Sequence, residues 1–243
     1  MALILLTNDD GYDALGFQTL YKELKKDFQV FAVAPRRQQS GASHSLTLRH
    51  PIRVEKIREE FYTVDGTPTD CVLLAYHDLT STPIDIVVSG INHGPNMGSD
   101  VFYSGTVAAA LQGATLGINA IASSLISKEY NNFTHAAKYT KDLVKRVLAA
   151  GVRSLILNVN IPEGKVRGET ITKMGKRIYQ DKVIRNSEKD NVMYSVINGT
   201  LSHRIATDTD FKAIDDGLVS ITPLKLDLTD YDGVKALRDH LGK

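Results

Sequence analysis

Cysteine is almost absent from this chain. Cys71 is the single example, and one thiol excludes an intramolecular disulfide framework. It sits in Asp70-Cys71-Val72-Leu73-Leu74-Ala75, a run of helical character, where a buried structural cysteine is expected rather than a nucleophile. An excess of one charge is lacking too. The formal net charge is +1, so no strong field favours a nucleic acid duplex or an anionic membrane. Long apolar runs are missing: no stretch approaches the roughly 18 residues of a membrane span. The first apolar run has no basic region before it and no small-residue cleavage site after it, so it does not read as a signal peptide. The expected location is a reducing cytoplasm. The Asn132-Phe133-Thr134 and Asn198-Gly199-Thr200 triplets are then chance matches to a glycosylation pattern. No Gly-x-x-x-x-Gly-Lys loop, no Gly-x-Gly-x-x-Gly after a strand and no Gly-x-Ser-x-Gly elbow occurs, which withdraws support from an NTPase or a dinucleotide site. Neither an internal repeat nor a low-complexity tract is present.

What is there is an ordinary globular balance. Apolar residues make up 42% and charged residues 23%, which argues against disorder, and 243 residues suffice for one domain with a sizeable core. The chain opens on Ala-Leu-Ile-Leu-Leu at residues 2–6 and stops at Thr7-Asn8-Asp9-Asp10-Gly11. A short apolar run bounded by turn residues reads as a strand buried on both faces, as in a parallel sheet. Residues 15–24 place Phe17, Leu20, Tyr21 and Leu24 at helical spacing, and residues 28–34 form a second strand stopped by Pro35. That is a strand-helix-strand unit with a right-handed crossover.

Further along, residues 46–64 read as irregular or antiparallel strand, and Thr69 or Asp70 can cap a helix that runs to Tyr76. Residues 84–88 are another buried strand, opening into a glycine- and asparagine-rich stretch from Ser89 to Asp100. Tyr103-Ser104-Gly105-Thr106 precedes an alanine-rich helix and offers an amino-terminal cradle for an anion. Residues 120–123 and 155–159 read as strands, and residues 134–148 as a helix. Composition changes after Pro162. Residues 192–197 and 200–205 flank Asn198-Gly199, the strongest short hairpin signal. Residues 219–222 suggest a strand returning to the body and residues 234–241 a tail helix. The expected division is a core over residues 1–162 and an extension over 163–243 within the same single domain.

Three strand ends carry polar residues: Asn8-Asp9-Asp10, Ser40-Gly41 and Gly90-Ile91-Asn92. Ligands bind beyond the carboxyl ends of strands in open α/β sheets. Adjacent carboxylates repel unless a positive charge lies between them. Asp, Ser and Asn offer side-chain oxygens, which suit Mg²⁺, Mn²⁺ or Ca²⁺ better than zinc. Taken singly, an Asp-Asp-Gly is most often a turn, and His44 and His93 have no assigned role. Convergence at one sheet edge, beside an anion cradle, is what points to a metal-dependent phosphate site.

Together these motifs closely resemble the SurE family. They are Thr7-Asn8-Asp9-Asp10-Gly11, Ala34-Pro35, Ser40-Gly41, Gly66-Thr67-Pro68-x-Asp70-Cys71-Val72, Ser89-Gly90-Ile91-Asn92-x-Gly94-Pro95-Asn96-x-Gly98 and Tyr103-Ser104-Gly105-Thr106-Val107. Leu157-Asn158-Val159-Asn160-Ile161-Pro162, Thr207-Asp208-x-x-Phe211 and Gly217-x-Val219-Ser220-Ile221-Thr222-Pro223 continue the resemblance. It implies a metal-dependent phosphatase acting on nucleoside 5′- and 3′-monophosphates, or another small phosphomonoester. It also implies a Rossmann-like three-layer α/β core with a mostly parallel sheet, a carboxyl-terminal β-hairpin arm and a tail helix. By position, one divalent ion per subunit falls on Asp9, Asp10, Ser40 and Asn92. Gly41, Asn96, Ser104, Gly105 and Thr106 fall on the phosphate pocket. Asp9 and Asp10 are also the candidate catalytic residues, the nucleophile being either a water activated by the ion or one of these aspartates. A homodimer or homotetramer built with the hairpin and tail is implied. Gln112 departs from the family's expected Glu, and Tyr12 from an aliphatic residue. The rival reading is a non-catalytic nucleotide or metal sensor with the same pocket.

Overall fold

Strand β1 (Leu3–Thr7) is buried at every position. This computed structural model describes residues 1–189, 192–203 and 206–242. After β1 come α1 (Leu15–Leu24), β2 (Gln29–Pro35), β3 (Val54–Arg58), β4 (Phe61–Val64), α2 (Pro68–Leu74), β5 (Ile86–His93), α3 (Gly105–Thr115) and β6 (Asn119–Ile126). The chain continues through α4 (Thr134–Ala149), β7 (Ile156–Pro162), β8 (Glu169–Ile171), β9 (Arg177–Lys189), β10 (Val192–His203), α5 (Asp210–Asp215), β11 (Val219–Leu224) and α6 (Tyr231–Leu241). Nine strands form one sheet in the order β3-β4-β2-β1-β5-β6-β7-β11-β8. The pairs from β4 through β7 are parallel, and β11 runs antiparallel to β7. This is the expected mostly parallel α/β sheet.

Side chains of β1 alternate between two cores because successive residues of a strand point to opposite faces. Ile4 and Leu6 join Phe17, Leu20 and Leu24 of α1 and Val144 and Val147 of α4. Leu3 and Leu5 join Cys71 and Val72 of α2 and Val107, Ala109 and Ala110 of α3. Small residues let α3 lie close to the sheet. A methyl group on Gly113 would stand 2.6 Å from Val87 Cγ2. On the other face, Lys141 of α4 bonds Glu23 at 2.6 Å and Asp27 at 3.0 Å, tying α4 to α1 and its end.

Between β1 and its two neighbours the winding reverses, β2 lying on one side and β5 on the other. In such sheets the crevice at this reversal takes the ligand, and β1 delivers Asp9 and Asp10 to it.

Several elements differ from the sequence expectation. The cap of α2 is Thr67, not Thr69 or Asp70. Its hydroxyl accepts from Asp70 N–H at 3.1 Å while the Asp70 carboxylate accepts from Thr67 N–H at 2.8 Å. Pro68, which has no N–H to satisfy, opens the helix. Strand β5 does not end at Val88 but runs on to His93, with a register shift between Ser89 and Asn92. Gly90 makes this continuation fit: a methyl group there would stand 2.3 Å from the Ser123 carbonyl oxygen.

The hairpin arm exists as β9 paired with β10, but it does not turn at Asn198-Gly199. Those two residues lie inside β10, opposite Lys182 and Asp181, in a ladder that also pairs Val192 with Lys189. The long β9 partner carries the ladder straight through the Asn-Gly pair, and cross-strand pairing outweighs a local turn preference. Arg204 and Ile205, the end of the expected second strand, lie outside the described residues. Among the described residues no helix is long and apolar enough to cross a membrane.

Candidate functional site

The two aspartates leave β1 in different directions. Asp9 is only 4% exposed and turns toward the start of α3, where the Thr106 hydroxyl donates to its Oδ1. Asp10 turns toward the end of β5, and its Oδ2 accepts from His93 N–H at 3.1 Å. Gly11 permits this divergence with a φ of +106°, in the region glycine alone enters freely. The bend is held by Asn8 Nδ2 donating to the Gly11 carbonyl at 2.8 Å and by Tyr12 N–H donating to Pro35 O at 2.9 Å. Tyr12 itself leans on Phe61, ring to ring at 6.4 Å.

Ser40 and Gly41 are exposed on the loop after β2. That loop is tied to the site at both ends. Gln39 N–H donates to the Asp9 carbonyl at 2.7 Å, and Ser43 reaches the carbonyls of Tyr103 and Phe102 at 3.1 and 2.6 Å. Ser40 Oγ accepts from Gln38 at 3.0 Å. Asn92 donates its Nδ2 to the Gly94 carbonyl at 2.8 Å, and no described residue donates to its Oδ1.

Asn92, Ser124, Asn160 and Ser220 stand in register across β5, β6, β7 and β11. Over this polar row lies Asn96, almost wholly consumed by it. Its N–H donates to Asn160 Oδ1, its Nδ2 to Ser124 Oγ, and its carbonyl accepts from Asn158 and Asn160, all at 2.7–3.0 Å. Ser104 caps α3 by accepting from Val107 N–H at 3.1 Å. Thr106 is spent on Asp9 and Gly105 packs against the same carboxylate, a methyl group there standing 3.1 Å from Asp9 Oδ2.

Burial raises the pKa of both aspartates. Asp9 is pushed up to about 6, mainly by desolvation and also by the charge of Asp10, against the opposing Thr106 bond. Asp10 is raised by desolvation, against the pull of His93. Each carboxylate therefore gains from a nearby cation. Among the described residues no three of His, Cys, Asp and Glu gather as a metal cluster. A site here depends on two carboxylates plus amide and hydroxyl oxygens, which fits a hard divalent ion. The unpartnered, buried Asn8 Oδ1 and the Asn92 Oδ1 are the oxygens left over for such a role.

Some residues around the site escape a reading of motifs. Asp210 is fully buried and accepts from Gly98, Gly175 and Phe211 N–H groups at 2.7, 2.8 and 2.9 Å. It pins the short 3₁₀ turn Gly98–Phe102 from far along the chain. Thr209 before it caps α5, the one local sign available. Gln112 bonds His44 at 3.1 Å and Thr115 at 2.8 Å rather than either aspartate. Cys71 is buried and its thiol pKa is raised by desolvation, so it is no nucleophile. The His93 ring packs against Tyr130 and Phe133 with centroids 5.5 and 4.7 Å away.

Comparison with known proteins identifies the family. The family model described as Survival protein SurE matches residues 4–181. The 5′-nucleotidase SurE of Geobacter metallireducens is 44% identical over 241 residues, covering 97% of this chain and 96% of that protein. The 5′/3′-nucleotidase SurE of Proteus mirabilis is 43% identical over 249 aligned residues, covering 100% of this chain and 97% of that one. The crystal structure of SurE protein from Aquifex aeolicus superposes with a TM-score of 0.88 at 41% identity, over 99% of this chain and 100% of that chain. With motifs, topology and full-length similarity in agreement, the chain belongs to the SurE family.

Proposed function

We propose that this chain hydrolyses nucleoside 5′- and 3′-monophosphates to nucleoside and phosphate, using one divalent ion per subunit, Mg²⁺ or Mn²⁺. The names of its relatives support the activity. The observation that carries the site is the pair of neighbouring, desolvated carboxylates of Asp9 and Asp10 after β1, near enough for the charge of Asp10 to raise the pKa of Asp9, between the start of α3 and the end of β5. Asp9, Asp10, Ser40 and Asn92 would hold the ion through their side-chain oxygens. When bound, such an ion supplies a Lewis acid that polarises a phosphoryl oxygen and lowers the pKa of water.

The chain's own groups do the rest. Thr106 holds Asp9 in one orientation. Ser104 and Gly105 present the start of α3, whose N–H groups and dipole favour the phosphate oxygens. Gly41 brings bare backbone to the same rim: a methyl group there would meet nothing within 4 Å. Asn96 is held by the network beneath it and would offer phosphate the second N–H of its Nδ2, the first being donated to Ser124 Oγ.

The test is release of inorganic phosphate from AMP with Mn²⁺ or Mg²⁺, abolished by Asp9→Asn and by Asp10→Asn. Metal-dependent nucleotide binding without turnover would instead establish the sensor.

The same reading takes the chain to be a homodimer or homotetramer in the cytoplasm, with no duplex nucleic acid or membrane as partner. No residue of α6 is buried, and Val183, Ile184, Met193, Tyr194 and Val196 are exposed along the hairpin. Apolar surface of this extent marks an interaction site. Sedimentation showing only the 26.7 kDa monomer would remove the oligomer.

A further inference from the structure

We infer that Arg36, Arg37 and Arg53 form a second oxyanion site, separate from the start of α3, whose occupant is inorganic phosphate. Only the source of that phosphate, product released close by, rests on the hydrolysis proposed above. A cavity of about 420 Å³ opens beyond the carboxyl ends of β2 and β4. Its walls are Arg36, Arg37 and Gln39 after β2, Arg53 just before β3, and Val64 and Asp65 at the end of β4. Pockets for organic ligands are lined mostly by apolar and aromatic side chains. Here Val64 is the single apolar residue, and three of the six walls are guanidinium groups.

Charge decides what such a cavity takes. Arg36 Nη1 meets Glu55 at 3.0 Å, and Arg53 meets Glu55 at 2.7 Å and Asp65 at 3.9 Å. Two carboxylates thus serve two guanidinium groups. Arg37 is exposed and makes no ion pair or side-chain hydrogen bond among the described residues. Three positive charges therefore face two negative ones, and the excess lies on Arg37. Each guanidinium presents five donors in a planar fork that matches an oxyanion. Arg36 and Arg53 keep donors beyond those given to the carboxylates. Backbone bonds hold the frame: Arg36 N–H donates to Val64 O at 2.8 Å, and Asp65 N–H donates to the Arg53 carbonyl at 2.9 Å. Both segments that supply the guanidinium groups are pinned to the end of β4.

Position ties this cavity to the turn that carries Asp9 and Asp10. Strand β2 lies between β1 and β4. Neighbouring strands run about 4.8 Å apart, so the end of β1 is roughly 5–10 Å from the ends of β2 and β4. Gln39 lines the cavity and donates its N–H to the Asp9 carbonyl at 2.7 Å. The Arg37 carbonyl carbon stands 3.7 Å from where a methyl group on Gly11 would lie. Phosphate freed beside Asp9 and Asp10 therefore forms within one or two strands of the guanidinium groups. Only Gln38 and Gln39 separate Arg37 from Ser40, so an anion drawn to Arg37 is felt at a proposed metal ligand.

Inhibition by inorganic phosphate tests this on the full chain. With AMP and saturating Mn²⁺, added phosphate is expected to lower kcat of the wild type as well as raise KM. Phosphate held only at the reacting site would compete with AMP and leave kcat unchanged. Arg37→Gln is expected to keep kcat and KM within about twofold when no phosphate is added, and to turn the inhibition purely competitive. Arg37 has no described partner to lose, and Arg36→Gln is expected to shift the pattern the same way. Calorimetry of phosphate binding without a divalent ion needs no turnover. There Arg37→Gln is expected to weaken binding roughly tenfold, with the difference from wild type shrinking at 1 M salt. Purely competitive inhibition of the wild type, an unchanged pattern in Arg37→Gln, or equal phosphate binding by the two proteins would overturn the inference. Absence of phosphate release from AMP by the wild type would sink the hydrolysis reading instead, and the calorimetry would still decide the oxyanion site.

Discussion

Gly105 lies so close to Asp9 that a methyl group on it would stand 2.9 Å from the aspartate Cβ and 3.1 Å from Oδ2. Pro68 closes the same space at 3.2 Å. The start of α3 thus rests on the carboxylate, and this position leaves no room for any side chain. Gly105→Ala must push Asp9 or the helix start aside. The expected result is a folded protein whose kcat/KM for AMP falls roughly a hundredfold, since displacement of about 1 Å costs that much in a positioned site. Unchanged kinetics in a variant of normal melting temperature would remove Asp9 from the site.

Thr106→Val tests the bond that orients Asp9. The swap keeps shape and removes the hydroxyl donor to Oδ1. Groups that orient a metal ligand are worth roughly 10–100-fold in metal affinity. Mn²⁺ titration should show a loss of that size, and Thr106→Ser should restore most of it. Equal affinity in all three proteins would make the bond structural only.

Asp210→Ala should destabilise the protein without touching a reacting group. It removes the acceptor for three buried or half-buried N–H groups, those of Gly98, Gly175 and Phe211. Each unsatisfied donor costs about 1–3 kcal/mol, so urea unfolding should report a loss of at least about 3 kcal/mol. A loss below 1 kcal/mol would mean that these N–H groups find other acceptors.

The ion pairs joining α1 to α4 set a pH dependence. Lys141 and Glu23 side chains are 13% and 9% exposed. Hydrogen bonds from Lys141 and Lys26 hold the Glu23 carboxyl below its usual pKa. A carboxyl depressed in the folded state contributes stability above its unfolded pKa and loses it as pH falls through the folded one. Lys141→Met should therefore cost roughly 1–3 kcal/mol near pH 7, and its deficit against wild type should shrink as pH drops below about 4. A deficit independent of pH would assign the effect to packing.

Much of the frame was legible because its signals are local. Helix α1 occupies the expected residues 15–24, since the spacing of Phe17, Leu20, Tyr21 and Leu24 needs no partner to be seen. The buried run of β1 and the carboxylates at its end follow from apolar patterning and one glycine. The motifs carried the family as well. By contrast, the Asn-Gly pair misled: a turn signal weighs four residues, whereas β9 and β10 pair over the length of both strands.

Residue order alone therefore indicated most segments of the parallel core, such as β1, α1 and β2, and which oxygen-bearing residues follow their strands. These depend on the period of the chain and on backbone freedom. The tertiary structure decided which of those oxygens remain free. Thr106 takes one oxygen of Asp9, and Asn158 and Asn160 take the carbonyl of Asn96. Those partners lie tens of residues apart, and only closure of the sheet with helices on both faces brings donors and acceptors within bonding reach.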